Sequence, residues 1–203
     1  MTTAIVVGQN HPDRTLERLV AIHDRVIVFE PLPEAAAACR YAYKDCPELI
    51  VFQAACGDYF ETQTLNVYNR NGLSSSLGSM TADAVALYGG RYDLSLQSTE
   101  RVQVVNLGDI LEMLVVVTID DLIIDAQGMD FTILKTVESW IALSRIRRIQ
   151  LEADGSGFRH YDGLPDNSVT SILEWMGFYP QYKASRLPQR LNEQPDLVFE
   201  LMR

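Results

Sequence analysis

The chain has 203 residues, which is enough for one domain with a hydrophobic core and too few for two. Its hydrophobic fraction of 47% and charged fraction of 22% are ordinary for a globular protein and argue against a disordered chain. The net charge of -10 argues against nucleic acid and anionic membrane surfaces as partners, because both bind through Lys and Arg. We therefore expect one domain over residues 1–203.

Targeting and cysteine patterns are typical of a cytoplasmic protein. The N-terminus enters a short apolar run without the basic region and the longer apolar stretch of a signal peptide. Apolar runs such as residues 114–117 are far shorter than a membrane span. The three cysteines, Cys39, Cys46 and Cys56, have no metal-ligand spacing, so we expect reduced thiols and no metal.

The first third of the chain alternates strand and helix patterns. Apolar, β-branched runs predict strands at residues 4–7, 25–30 and 49–56. Helical spacing and an alanine-rich run predict helices at residues 13–24 and 33–44 between them. Strands separated by helices of this length are typical of βαβ units, which make the strands parallel.

The remainder is less regular but continues the same pattern. Further strands are predicted at residues 64–68, 102–107, 122–126 and 148–152, and helices at 81–88, 109–114, 129–144 and 169–176. Residues 74–79 form a serine-rich loop, and residues 154–167 form a long loop of the kind that is often functional. The last strands, 178–183 and 197–202, have no helix between them, only a loop with two prolines, so they predict an antiparallel hairpin at the sheet edge.

Candidate site residues follow from the position of the strand ends. In an open parallel sheet, ligands bind at the carboxyl ends of the strands, where the strand order reverses. This rule selects several loops that can build one site: residues 8–11, Glu30, Gly57 with Asp58, residues 125–128 and residues 152–154.

Glu30 ends the second predicted strand, roughly twenty residues after Gly8. A carboxylate in this position either accepts hydrogen bonds from a ribose diol or is a solvated strand end. Gly8 is not followed by the further glycines of a pyrophosphate loop, and the P-loop pattern is missing. These absences argue against NAD and ATP and leave a cofactor without phosphates compatible.

Asp125 closes an apolar strand and is predicted at the floor of the site. It either orients or deprotonates an acceptor hydroxyl, or interacts with the dipole of the following helix. A carboxylate pair with Glu152, as in carbohydrate-modifying enzymes, stays open. A metal held with His160 matches no known spacing and is not expected. Further polar candidates nearby are Gln127, Asp130, Glu152, Asp154 and His160.

Five segments resemble motifs of the FkbM-type S-adenosylmethionine-dependent methyltransferases. Residues 28–33 (VFEPLP) are similar to the family's FEP-x-P, and residues 54–58 (AACGD) to its A-x-G-D. Residues 72–77 (GLSSSL) resemble its serine loop. Residues 122–130 (LIIDAQGMD) resemble LKIDVEGAE, and residues 149–152 the strand that follows. The segments occur in the family's order and together span about residues 4–155.

The resemblance implies an α/β, Rossmann-like class I methyltransferase fold, with a mostly parallel sheet of about seven strands and a C-terminal antiparallel hairpin. It implies S-adenosylmethionine as cofactor and methyl transfer to an oxygen of a small hydroxylated acceptor, such as a sugar or natural product. The residues that it assigns are Gly8, Asn10, Glu30, Pro31, Gly57 and Asp58 for the cofactor, Asp125, Gln127 and Glu152 for catalysis, and Ser75, Ser76 and His160 for the acceptor.

The sequence departs from the family pattern at several of these positions. Val6 and Pro12 stand where the family's D-x-G-A-N-x-G has its acid and second glycine. Gln127 replaces a glutamate of LKIDVEGAE. A second hypothesis therefore stays open, a catalytically inactive binding module with a methyltransferase fold. The sequence identifies neither the acceptor nor the oligomeric state.

Overall fold

The computed structural model describes residues 1–69, 71–88, 94–155, 159–186 and 196–202. The helices are α1 Arg14–Ile22, α2 Pro33–Ala42, α3 Ala82–Tyr88, α4 Leu107–Met113, α5 Asp130–Thr136, α6 Glu138–Ala142 and α7 Val169–Met176. The strands are β1 Thr3–Val7, β2 Arg25–Phe29, β3 Leu49–Phe52, β4 Ala55–Gly57, β5 Glu61–Tyr68, β6 Ser79–Met80, β7 Leu96–Asn106, β8 Ile119–Ile124, β9 Ile146–Glu152, β10 Tyr161–Asp162, β11 Tyr182–Arg186 and β12 Asp196–Leu201. Among these described helices, none is long and apolar enough to cross a membrane.

The main sheet has seven strands in the order β11-β12-β9-β8-β1-β2-β3. Strands β9, β8, β1, β2 and β3 are parallel, whereas β12 is antiparallel to both β9 and β11. The predicted α/β fold, with a mostly parallel sheet and a C-terminal antiparallel hairpin, is confirmed. The strand order reverses at β1, which lies between β2 and β8, so this edge is the expected ligand position.

Both faces of the sheet are covered, which explains why its strands are hydrophobic without alternation. One face packs on α1 and α2 through Leu16, Leu19 and Cys39. The other packs on α4, α5, α6 and α7 in the larger apolar cluster. At the start of α1, the Asp13 carboxylate accepts the Leu16 N–H (2.8 Å), and this cap fixes the end of the loop that follows β1.

Several predicted elements differ from the structure in their bounds, for example the strand predicted at residues 102–107, which begins at Leu96. The strand predicted at residues 49–56 is two strands, because the chain leaves the main sheet after Phe52 and β4 joins a separate sheet, β4-β7-β5. The helix predicted at residues 129–144 is interrupted at Val137, whose dihedral angles (φ -107°, ψ 21°) are not helical. The strand predicted from residue 178 begins at Tyr182.

The two predicted loops contain a small sheet of their own. Strand β6 follows the serine-rich segment and pairs with β10, which lies inside the long 154–167 loop, and this pairing joins the two loops. Residues 156–158 of the long loop lie outside the described residues, as do the two prolines between β11 and β12.

Candidate functional site

A cavity of about 340 Å³ lies at the carboxyl ends of β1, β2 and β8. Its volume falls within the range of small-molecule sites. The register of the sheet explains its position, because Val7 is aligned with Phe29 on one side and with Ile124 on the other. The residues that follow these three therefore meet at one edge. The predicted site residues that line the cavity are Gly8, Asn10, Glu30, Pro31, Ser75, Ser76, Asp125 and Gln127.

Glu30 is held at the end of β2 by the backbone. Its carboxylate accepts the Asn10 N–H at 2.6 Å and the Leu32 N–H at 2.8 Å, one on each oxygen. Burial raises the pKa of Glu30, and these two N–H donors oppose that rise. Each carboxylate oxygen has a second lone pair, so Glu30 can accept further hydrogen bonds from a ligand hydroxyl.

Gly8 is required by the close approach of two strand ends. A Cβ atom at this position would lie 1.8 Å from the Asp125 carbonyl oxygen, and φ of Gly8 is 82°. The Gly8 N–H donates to the Phe29 carbonyl at 2.9 Å, which extends the β1–β2 pairing into the loop. The glycine therefore allows the residues after β1 and β8 to meet, whatever the ligand.

The Asn10 side chain is the clearest sign of a ligand position. Both its amide nitrogen and its amide oxygen are buried without a hydrogen-bond partner, and so is the Ser75 hydroxyl oxygen. Both residues line the cavity. Buried polar groups are normally paired, because an unpaired one costs about 1–3 kcal/mol. Unpaired groups on a cavity wall fit a polar ligand that supplies the missing partners.

Asp125 and Glu152 are joined by the Gln127 carboxamide. The amide nitrogen of Gln127 donates to Asp125 at 2.7 Å and to Glu152 at 3.0 Å. Asp125 is accessible from the cavity, whereas Glu152 lies behind it and does not line the wall. The structure thus brings the three predicted catalytic residues together, with Asp125 in front.

Carboxyl groups crowd this end of the cavity, and burial raises the pKa of each. The pKa of Asp125 is raised by burial and by Asp196, and is lowered by the Gln127 hydrogen bond. The pKa of Glu152 is raised by burial and then by the charges of Asp125 and Asp130. Asp130 is fully buried, and burial raises its pKa well above the ordinary value. It accepts the N–H groups of Ala126 (3.4 Å), Gly128 (3.3 Å) and Glu152 (3.2 Å), which fixes the loop after β8.

The two serines of the predicted acceptor site have different surroundings. The Ser76 hydroxyl donates to the Gln127 carbonyl at 2.7 Å and accepts the Gly78 N–H at 3.1 Å. These contacts attach the serine loop to the loop after β8. The Ser75 hydroxyl has no such partner.

Besides Glu152, three predicted residues lie away from the cavity wall. Gly57 packs beside Val104, and the Asp58 carbonyl accepts a hydrogen bond from the Asn106 side chain (2.8 Å). His160 is buried, with Nδ1 2.5 Å from the Asp154 carboxylate. The cavity is lined instead by Ala54, Ala55 and Cys56 just before Gly57. Cofactor and acceptor roles for Gly57, Asp58 and His160 stay predictions.

Asp196 and Tyr161 are among the residues at this site that were not predicted. Asp196 lines the cavity because β12 is antiparallel, so its first residue is aligned with Glu152, the last residue of β9. A rule that inspects only the carboxyl ends of strands misses it. Tyr161 donates from its hydroxyl to the Gln127 side-chain oxygen at 2.7 Å. Within the described part of the chain, no group of three or more His, Cys, Asp or Glu side chains is arranged to hold a metal.

Comparison with known proteins gives a family. The family model described as the methyltransferase FkbM domain matches residues 7–184, which is most of the chain. No curated protein matches the sequence.

Solved structures with the same fold include several methyltransferases. The FkbM methyltransferase of Methylobacillus flagellatus KT has a TM-score of 0.58 at 11% identity, over 98% of this chain and 43% of its own. A candidate methyltransferase from Streptococcus mutans, in complex with SAH, has a TM-score of 0.53 at 10% identity, over 100% and 89%. An rRNA methylase from Streptococcus thermophilus has a TM-score of 0.51 at 11% identity, over 100% and 88%. The chain therefore spans less than half the length of the Methylobacillus protein.

Proposed function

The chain belongs to the methyltransferase FkbM family, and from this membership we propose an S-adenosylmethionine-dependent O-methyltransferase that acts on a small hydroxylated acceptor, such as a sugar or natural product. One observation carries the proposal. A single cavity has Glu30 with the unpaired Asn10 amide at the β1–β2 end and the Asp125 carboxylate at the β8 end. It can hold a donor and an acceptor side by side.

The β1–β2 end fits the methyl donor. Glu30 has free lone pairs for the ribose hydroxyls, and the Asn10 amide supplies unpaired polar groups to the same wall. Ser75, which the resemblance assigns to the acceptor, adds an unpaired hydroxyl there, and we propose that it contacts the donor instead. When bound, S-adenosylmethionine supplies an electrophilic methyl group. The contribution of the chain is to hold the acceptor oxygen in line with that group, since orientation accounts for much of the rate in such a displacement.

The β8 end fits the acceptor. Asp125 faces the cavity and can accept a hydrogen bond, and then the proton, from an acceptor hydroxyl. Asp125 is exposed to the cavity, but the protein around it and the Asp196 charge raise its pKa. It is therefore a better proton acceptor than an aspartate in open solvent, because proton transfer improves as the pKa of the base approaches the working pH. Gln127 holds this carboxylate against Glu152, so that it does not turn away from the acceptor.

The charge of the cavity favours a neutral or cationic acceptor. Four acidic residues line the wall, Asp13, Glu30, Asp125 and Asp196, and the described lining residues include no Lys, Arg or His. Phosphate-rich substrates depend on such cations. We therefore prefer a small acceptor over nucleic acid, although an rRNA methylase shares the fold.

The alternative is a catalytically inactive binding module. Val6 supports it, because its side chain is buried in the apolar cluster beside α1 where the family pattern has an acid. The loop after β1 then lacks one charged contact for the cofactor. The two candidates differ in whether the cavity binds the cofactor and transfers its methyl group.

Calorimetric titration with S-adenosylhomocysteine tests the cofactor site. Glu30→Gln is expected to weaken binding about tenfold or more, since it loses a charged hydrogen-bond acceptor. Asp24→Asn is the matched control, because Asp24 also accepts a backbone N–H, from Thr2 at 2.7 Å, but lies at the opposite end of β2. Equal binding by Glu30→Gln and the wild type would remove Glu30 from the site.

The same samples test the reaction with a labelled methyl donor and a panel of hydroxylated sugars and polyketides. We expect label in the acceptor with wild-type protein, and loss of transfer with retained cofactor binding in Asp125→Asn. Folded wild-type protein that binds no S-adenosylhomocysteine would favour the inactive module. Transfer that survives in Asp125→Asn would remove Asp125 from the chemistry.

A further inference from the structure

Tyr161 lies on β10, outside the cavity wall, but its hydroxyl reaches the loop after β8. The ring is buried, with 3% of its surface exposed, and packs at an angle against the Tyr68 ring. Its hydroxyl oxygen is 2.7 Å from the Gln127 side-chain oxygen and 3.1 Å from the Ser74 carbonyl oxygen. Tyr161 therefore contacts the residue that joins Asp125 to Glu152.

We propose that Tyr161 is a positioning residue that fixes the orientation of the Gln127 carboxamide and thereby holds Asp125 and Glu152 together at the cavity floor. A carboxamide has one end that donates and one end that accepts. In the observed orientation the oxygen accepts from Tyr161, so both amide hydrogens are available for the two carboxylates. The role of Asp125 in transfer rests on the proposed function, whereas this contact does not.

The opposite amide orientation shows why a fixed donor matters. Turning the amide by 180° would place its oxygen against Asp125 and Glu152, and an oxygen cannot donate to a carboxylate. That orientation becomes favourable only when one of the two carboxylates carries a proton. The Tyr161 hydroxyl has one proton for two acceptors, the Gln127 oxygen at 2.7 Å and the Ser74 carbonyl at 3.1 Å. When that proton goes to the nearer oxygen, Tyr161 opposes the turn and so favours the ionised form of Asp125.

Tyr161 keeps its proton at neutral pH. Burial raises the pKa of its hydroxyl, and the nearby charges of Glu152 and Asp125 raise it further. A phenol with a raised pKa remains protonated at neutral pH, so it is a permanent donor.

The backbone of the loop depends on the same neighbourhood. Gln127 has φ 49°, a left-handed conformation that a non-glycine residue rarely adopts. Its carbonyl accepts from Ser76 while its side chain accepts from Tyr161. The serine loop thus contacts the backbone of Gln127, and β10 contacts its side chain. Through these contacts the small β6–β10 sheet supports the cavity floor.

Other ionisable groups face the two carboxylates from every side and stay in place in the test. They are Asp130 at the start of α5, Asp154 after β9, Asp196 on β12 and Glu30 after β2. Because their charges are common to all variants, a difference between variants reports the Tyr161–Gln127 contact.

The test is an NMR titration of carboxyl groups in protein labelled with carbon-13 at Asp and Glu side chains. In Tyr161→Phe we expect a rise in the Asp125 pKa, because the Gln127 hydrogen bond that lowers it is no longer fixed. The matched control is Tyr182→Phe, which also removes a buried tyrosine hydrogen bond, to the Ile146 carbonyl at 2.7 Å, but away from the cavity. It should leave the Asp125 titration unchanged.

A double-mutant cycle separates action through Gln127 from a general loosening of the loop. In a Gln127→Met background, Tyr161→Phe should produce no further rise in the Asp125 pKa. An equal rise in both backgrounds, or no rise in either, would overturn the proposal. If Tyr161→Phe does not fold, the wild-type Gln127 side-chain NH₂ signals decide, since they should shift as Asp125 titrates and the proposal falls if they do not. The readouts need neither cofactor nor acceptor, so they are independent of the proposed function.

Discussion

The two ends of the cavity are built in different ways. At the β1–β2 end, Glu30 is held by two backbone N–H groups. Position 8 requires a glycine because the ends of β1 and β8 pack closely there. At the β8 end, Asp125 is held by the side chain of Gln127, which depends in turn on Tyr161 and Ser76. The first end is fixed by the backbone, whereas the second is fixed by side chains from distant parts of the chain.

This difference matches the two ligands of the proposed reaction. A donor that is common to many enzymes can be bound by backbone geometry, which tolerates substitution of neighbouring side chains. An acceptor that varies between enzymes is better served by side chains on loops, because loops change without loss of the sheet.

Gly8→Ala should disrupt the β1–β2 end of the cavity and cause the largest loss of stability. Its Cβ would lie 1.8 Å from the Asp125 carbonyl, a backbone atom that cannot move without displacing β8, and φ is 82°. We expect a loss of about 3–5 kcal/mol in the free energy of unfolding, measured by urea denaturation. Gly163→Ala separates strain from collision, because Gly163 has φ 78° but no atom within 4 Å of its Cβ position. It should cost only about 1–2 kcal/mol, and equal losses would show that collision at Gly8 contributes nothing.

Most of the sheet could be predicted from the sequence, since buried parallel strands leave continuous apolar runs. Helix α7 was predicted at its observed bounds, and in the structure the Ser168 side chain caps its first turn. The break between β3 and β4 was missed, because residues 49–56 are apolar on both sides of it and periodicity carries no information about which sheet a strand joins. Pairing between β6 and β10 is equally invisible, since each strand has only two residues.

Prediction of the site from the sequence has the same limit. The strand-end rule found Gly8, Glu30 and Asp125, which share one edge in any parallel sheet of this order. It missed Asp196, because the direction of β12 decides which of its ends reaches the cavity. It also missed Tyr161, whose contact with Gln127 joins residues 34 apart in sequence. Parallel strand ends can be predicted from order alone, whereas side-chain contacts between loops need the structure.

The stability that the β8 end of the cavity contributes to the fold should depend on pH. The folded-state pKa values of Asp125, Asp130, Glu152 and Asp196 are all raised, so folding takes up protons. The stability that these groups contribute is fully present below about pH 4 and is lost as the pH rises through the raised folded values. We expect the free energy of unfolding to fall as the pH rises above the ordinary carboxyl range of about pH 4, measured by urea denaturation at each pH.

Asp196→Asn should flatten this pH dependence. It removes a charge that raises the pKa of both Asp125 and Glu152, so the variant should gain stability over the wild type as the pH rises. Asp45→Asn removes the same charge from an exposed loop after α2 and should leave the slope unchanged. Parallel curves for wild type and Asp196→Asn would show that the crowding of carboxylates does not control stability.

The smallest expected effect concerns two adjacent serines of one loop. The Ser76 hydroxyl has two hydrogen-bond partners, whereas the Ser75 hydroxyl has none. Ser76→Ala should cost about 1–2 kcal/mol of unfolding free energy, because the Gln127 carbonyl and the Gly78 N–H lose their buried partner. Ser75→Ala should keep or raise the stability of the free protein, since it removes a buried hydroxyl that has no partner. With S-adenosylhomocysteine present the order should reverse for affinity, and Ser75→Ala should bind more weakly than wild type in calorimetry. If Ser75→Ala destabilises the free protein as much as Ser76→Ala, its hydroxyl is part of the scaffold, and the cavity wall has one ligand group fewer.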